Sequence, residues 1–120
     1  MESIRADSQN NRLIVTVSGR PTADGLTELA RRTAAEVAKL QRGYVVAIDV
    51  RDMAVVDQET TAGIAACQKV WLGGGPSKVG TLVGSAVLML QLTRQGKHSD
   101  SDDITERFSD EAAWHAYLGF

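Results

Sequence analysis

The sequence predicts one α/β domain: an opening hairpin, then alternating βα units, forming a mixed, mainly parallel sheet packed by about four helices. Three observations carry that expectation. Short apolar, β-branched runs alternate with stretches whose apolar residues recur at helical spacing. Glycines, prolines and capping residues punctuate the joints. The 120 residues, with 43% hydrophobic content, 23% charged content and two prolines, suit a single domain over residues 1–120. A chain of this length buries roughly two thirds of its unfolded surface and needs no disulfide or metal to hold a core.

The segment Ser3–Val17 reads as a hairpin. Ile4 and Ala6 alternate with polar neighbours, Ser8-Gln9-Asn10-Asn11 supplies turn chemistry, and Leu13–Val17 is rich in β-branched residues. Gly19, Arg20 and Pro21 break the second strand. Thr22 then caps a helix in which Leu26, Leu29, Ala30, Thr33, Val37 and Leu40 form one apolar stripe, and Gly43 is expected to end it. The run Tyr44–Ile48 is too short for a buried helix and reads as a central parallel strand covered on both faces.

Asp49–Val56 leaves that strand, and Asp57 caps a second helix over roughly Glu59–Leu72, with Ile64, Cys67, Gln68 and Trp71 on one side. Gly73-Gly74-Gly75-Pro76 stops it. Val79–Val83 is the next buried strand, closed by Gly84. Ser85 caps a third helix whose Leu88, Met89 and Leu92 face the sheet, and Lys97–Asp103 is a polar loop. Ile104–Phe108 makes the last strand. Ser109 is expected to cap a final helix, with Asp110 and Glu111 in its first turn and Ala113, Trp114, Tyr117 and Leu118 as its apolar side. The order ββαβαβαβα implies right-handed crossovers.

Composition excludes several function classes. Thirteen basic against fifteen acidic residues, net charge −2, lack the positive excess that phosphate-backbone binding requires, so no nucleic-acid partner is expected. Met1–Arg12 shows no signal-peptide succession. The longest mostly apolar stretch, Val79–Leu92, is too short and too glycine-broken to span a bilayer, so no transmembrane segment is expected. The single Cys67 points to a reducing, cytoplasmic setting. With His98 and His115 it is too small a set for a metal site, and neither a metal nor another cofactor is expected. Cys67 itself shares a stripe with Ile64 and Trp71, where a thiol behaves as a small hydrophobe.

Other chemical candidates fail on order or spacing. Gly73–Gly75 with Lys78 follows a helix and precedes a strand, the reverse of a phosphate-binding loop. Gly19–Gly25 joins strand to helix without the dinucleotide-binding glycine spacing. Asp49 ends the central strand, where open sheets place ligands, yet it better suits a turn residue bonding its own backbone. No catalytic residue is assigned and no enzymatic activity is expected.

The segment Ile48–Gly63 stands out: a buried strand, an apolar approach, Asp57, then a polar helix start, Gln58-Glu59-Thr60-Thr61. It resembles the signature region of the STAS domains, the fold of the bacterial anti-sigma-factor antagonists. The resemblance extends to the opening hairpin, the Gly-Arg-Pro turn, the Val79–Val83 strand and the closing Phe108–Ala112 segment. In that family the second helix opens with Asp-Ser-Ser/Thr-Gly, whose second hydroxyl residue is phosphorylated by a partner serine kinase. Here Asp57 remains, Gln58 stands at the first serine, Glu59 at the phosphoacceptor and Thr60 at the glycine.

The resemblance implies a regulatory module that docks another protein, such as a serine kinase, an anti-sigma factor or a signalling complex. The docking face would be Asp57, Gln58, Glu59, Thr60 and Thr61, with the loops Pro21–Asp24 and Gly84–Ala86. A helix N-terminus favours negative charge, and a glutamate supplies one charge where a phosphate supplies about −1.5 to −2, so Glu59 imitates the phosphorylated state in part. Glu59 is also a favourable first-turn residue on helix grounds alone. Thr60 or Thr61 as a substitute phosphoacceptor would meet repulsion from Asp57 and Glu59.

Two further readings stand beside this one. The segment Val79–Leu92 holds more apolar residues than one helix face buries, so Val87, Met89 and Leu90 are expected to form a patch for a homodimer or for a small-molecule or lipid ligand, as in a SpoIIAA-like domain. A response-regulator receiver has a similar size and alternation. It needs an acidic pair after its first strand and a lysine after its last, where this chain has Ser18-Gly19-Arg20 and no lysine beyond Phe108.

Overall fold

A computed structural model describes residues 2–91 and 104–119. In chain order the elements are β1 (Glu2–Asp7), β2 (Arg12–Val17), α1 (Ala23–Val37), β3 (Val45–Val50), α2 (Gln58–Gly73), β4 (Lys78–Val83), α3 (helical over 86–91), β5 (Thr105–Phe108) and α4 (Glu111–Leu118). The five strands form one sheet in the order β1-β2-β3-β4-β5. β1 runs antiparallel to β2, while β2 through β5 are mutually parallel. Leu92, the Lys97–Asp103 loop and His98 lie outside the described residues.

The placement of the helices follows from handedness. From β2 to β5 the chain steps in one direction across the sheet, and right-handed crossovers put every intervening helix on the same face. Val15, Val46, Ile48 and Val79 point to that face and pack with Leu26 and Leu29 of α1, Ile64 and Trp71 of α2, and Leu88. α4 follows the last strand and covers the other face, where Ala47 and Leu82 meet Trp114 and Leu118. The Trp114 indole donates to the Gly80 carbonyl at 2.9 Å. β3 is therefore buried on both sides, as its uninterrupted apolar run predicts.

The structure departs from the sequence expectation at two helix ends. α1 stops at Val37 instead of continuing to Gly43. Asn11, at the hairpin turn, accepts from the Gln41 N–H at 2.8 Å and donates to the Gln41 carbonyl at 3.1 Å, holding that backbone out of the helix. Leu40 still packs against the core, but from a turn. α4 is capped by Asp110, not Ser109: its two carboxylate oxygens accept from Ala112 and Ala113. Both residues are good caps, and the one whose carboxylate reaches the free N–H groups prevails. Ala113, expected on the apolar side, is exposed.

Candidate functional site

The N-termini of α1 and α2 are tied together at one end of the sheet. The Gly19 N–H donates to the Asp52 carbonyl at 2.9 Å, and the Ala54 N–H donates to the Gly19 carbonyl at 2.7 Å, clamping the loop after β2 to the loop after β3. Arg20 Nη1 donates to the Val55 carbonyl at 3.2 Å. Gly63 lets the helices approach closely, since a Cβ there would stand 2.6 Å from Leu26 Cβ. Between the two helix starts lies a depression of about 290 Å³, lined by Arg20, Pro21, Thr22, Val56, Asp57 and Glu59 among others.

Each helix is capped as its sequence predicts. The Thr22 hydroxyl accepts from the Gly25 N–H at 3.0 Å, and Asp57 Oδ1 accepts from the Thr60 N–H at 2.8 Å. The bonds from Thr60, to which the charge of Arg20 adds, hold the Asp57 carboxyl below its ordinary 3.8. A depressed folded-state pKa stabilises the native chain above the unfolded value, and that contribution is lost as pH falls through the folded one. Asp57→Ala is therefore expected to lower the unfolding midpoint near neutrality. The gap to the parent chain should close on acidification below the ordinary carboxyl value, measured by thermal melts; a gap independent of pH contradicts the ionised cap.

The five residues expected at this face divide. Asp57, Gln58 and Glu59 are exposed, and Thr61 is half-buried with its hydroxyl donating to the Gln58 carbonyl at 2.6 Å. Thr60 is only 6% exposed; it lines the depression between the helix starts, with both its N–H and its side chain bonded to Asp57.

The apolar surplus of Val79–Leu92 also divides. Val79, Leu82, Val83 and Leu88 are buried, whereas Val87 is 61% and Leu90 69% exposed. Met89, which the sequence offers both to the sheet-facing side and to the exposed patch, packs half-buried against the core beside Leu88, so the patch loses it. Sequence reading missed the tie between α3 and the α2 start. Gln91 accepts from the Val56 N–H at 3.3 Å and donates to the Val56 carbonyl at 2.8 Å. That tie joins α3, which carries the exposed Val87 and Leu90, to the segment that carries Val55, itself 39% exposed. A lone glutamine carries no sequence signal for such a contact.

The other chemical candidates are occupied structurally. Asp49 Oδ2 receives Arg51 Nη2 at 2.9 Å, and Arg51 Nη1 reaches Glu111 at 2.6 Å, linking the end of β3 to α4. Cys67 is 3% exposed, and burial pushes its thiol up to about 12, keeping it protonated at neutral pH. Among the described residues no group of three or more His, Cys, Asp or Glu is placed to hold a metal ion. Among them, too, no helix is long and apolar enough to cross a membrane.

An antiparallel opening hairpin on a parallel sheet, with α1, α2 and α3 on one face and α4 on the other, is the STAS-type, SpoIIAA-like α/β fold. A solved structure of that class, the anti-sigma factor antagonist SpoIIAA in its unphosphorylated form, is similar over 100% of this chain and 98% of that one, with a TM-score of 0.62 and 8% sequence identity. No protein-family model and no curated protein matches the sequence. At that identity the likeness establishes architecture, and activity has to be argued from the site.

Proposed function

We propose that this chain is a non-catalytic, cytoplasmic bacterial regulatory module of the anti-sigma-factor-antagonist kind, docking another protein through the start of α2. The observation that carries the reading is the exposure of Glu59 in the first turn, at the position the resemblance to the STAS signature gives to a phosphoacceptor and where the helix end favours negative charge. Val55, before α2, and Val87 and Leu90, on α3, supply exposed apolar area on segments joined by the Gln91–Val56 bonds, as protein interfaces combine a dry patch with a polar rim. A fixed carboxylate sets the module in a partly switched state without phosphorylation. The partner that suits this surface is a protein with a basic rim, such as a serine kinase or anti-sigma factor.

The test is crosslinking capture in the native cell with identification of what touches α2, repeated on Glu59→Lys. Charge reversal is expected to weaken capture from lysate about tenfold at low salt, with the fold intact and the melt lowered only by the lost first-turn charge, because rim charges act on encounter and are screened by salt. Equal capture by Glu59→Lys removes this face from the interface. Sedimentation of Val87→Asp separates the second occupant of the patch, another copy of this chain: loss of a dimer on substitution assigns the patch to self-association.

A further inference from the structure

The segment that leads from β3 into α2 belongs to no strand, yet its backbone is pinned along its length. Gly19 bonds Asp52 and Ala54, and Arg20 holds the Val55 carbonyl. Gln91 then holds both polar groups of Val56, accepting from its N–H and donating to its carbonyl. That last pin differs in kind from the others. A primary amide carries an acceptor and a donor in one plane, so a single side chain meets Val56 as the opposite residue of an antiparallel pair would. It does so from a helix 35 residues further along the chain. Val56 is buried, so without this amide its polar groups would lose partners they need.

The grip comes from a particular side of α3. Val87, Leu90 and Gln91 stand at i, i+3 and i+4, so they share one side of the helix, while Leu88 and Met89 turn to the core. The side of α3 that holds Val56 is therefore the side that carries the exposed apolar residues. Val56 directly precedes Asp57, the cap of α2. We propose that Gln91 is the positioning residue of the docking face: its amide locks α3 to the α2 approach, so that the apolar side of α3 and the acidic start of α2 meet a partner as one fixed surface. The role in docking rests on the reading of the α2 start as the partner-binding face.

The experiment uses the whole chain with Gln91→Met, similar in length and flexibility but without the amide. By ¹H–¹⁵N NMR the Val56 amide is expected to exchange with solvent about tenfold faster than in the parent, roughly the worth of one hydrogen bond, while amides at the centre of β3 keep their rates. Capture of the protein crosslinked at α2 should weaken about three- to tenfold. Val87→Asp, which weakens capture by the parent chain, should weaken it no further in the Gln91→Met background, whereas Glu59→Lys keeps its effect in both. A glutamine that only stabilises the fold would lower the melt and leave Val87→Asp equally damaging in either background. If Gln91→Met does not fold, Gln91→Glu replaces it, keeping the acceptor for the Val56 N–H and losing the donor to its carbonyl. Unchanged Val56 exchange overturns the lock itself. Equal effects of Val87→Asp in the two backgrounds, or none in the parent, overturn its role in docking. Capture indifferent to Glu59→Lys marks the separate failure of the docking reading, and faster Val56 exchange then leaves Gln91 a structural tie alone.

Discussion

Gly84→Ala is expected to lower the unfolding midpoint by on the order of 10 °C, a loss of about 3 kcal/mol. A Cβ at this position would stand 2.0 Å from the Arg51 carbonyl oxygen, far inside the 3.0 Å that real Cβ contacts essentially never breach. The obstacle is backbone, so no rotamer change relieves it; the strand end carrying Gly84 and the turn carrying Arg51 must separate. Gly73→Ala is the control. It changes a residue of the same kind at the end of α2 where a Cβ meets nothing within 4 Å, and it should be neutral or slightly stabilising. Thermal melts of the two variants decide the matter: a Gly84→Ala chain as stable as its parent would show that the approach is not close in solution. Because Gly84 leads directly into the Ser85 cap of α3, displacing it also moves Val87 and Leu90 relative to Asp57. Partner capture should weaken along with stability.

Leu88→Ala is expected to cost about 2–5 kcal/mol, the range for deleting a fully buried leucine side chain. Leu88 is 0% exposed and anchors α3 to the main core, with the Ser85 hydroxyl accepting from its N–H at 3.1 Å. Val87 and Leu90 face outward, so Met89 is the other apolar residue of 87–90 that packs on the core. Truncation should therefore loosen the Gln91–Val56 bonds as well. Hydrogen exchange is the discriminating measurement: amides of 86–91 should lose protection more than those of α1 or β3. Uniform loss across the chain would instead place Leu88 in the global folding core without a special role in seating α3.

Much of this architecture is legible in the sequence because the signals that specify it are local. A helix start is decided within four residues, so Thr22, Asp57 and Ser85 can be recognised as caps, and the structure bears each of them out. Strand character lies in the composition of five or six successive residues, so Leu13–Val17, Tyr44–Ile48 and Val79–Val83 could be recognised as well. Handedness then settles which face each crossover helix covers once the strand order is known. The candidate site was legible to the same extent: Asp57 and Glu59 announce an acidic helix start, and a helix start carries its own polarity.

What tertiary structure alone decided depends on contacts thirty or more residues apart. Asn11 ends α1 six residues before Gly43 by gripping Gln41, and Gln91 binds α3 to Val56. Local alternation cannot tell which side of a first turn will meet the core, so the burial of Thr60 and of Met89, and the exposure of Val87 and Leu90, emerged only with the packing. Trp71 is the clearest case. Its position on the apolar stripe of α2 follows from helical spacing, but whether its indole N–H finds an acceptor depends on which atoms four strands and two helices bring around it, and that is a property of the assembled core.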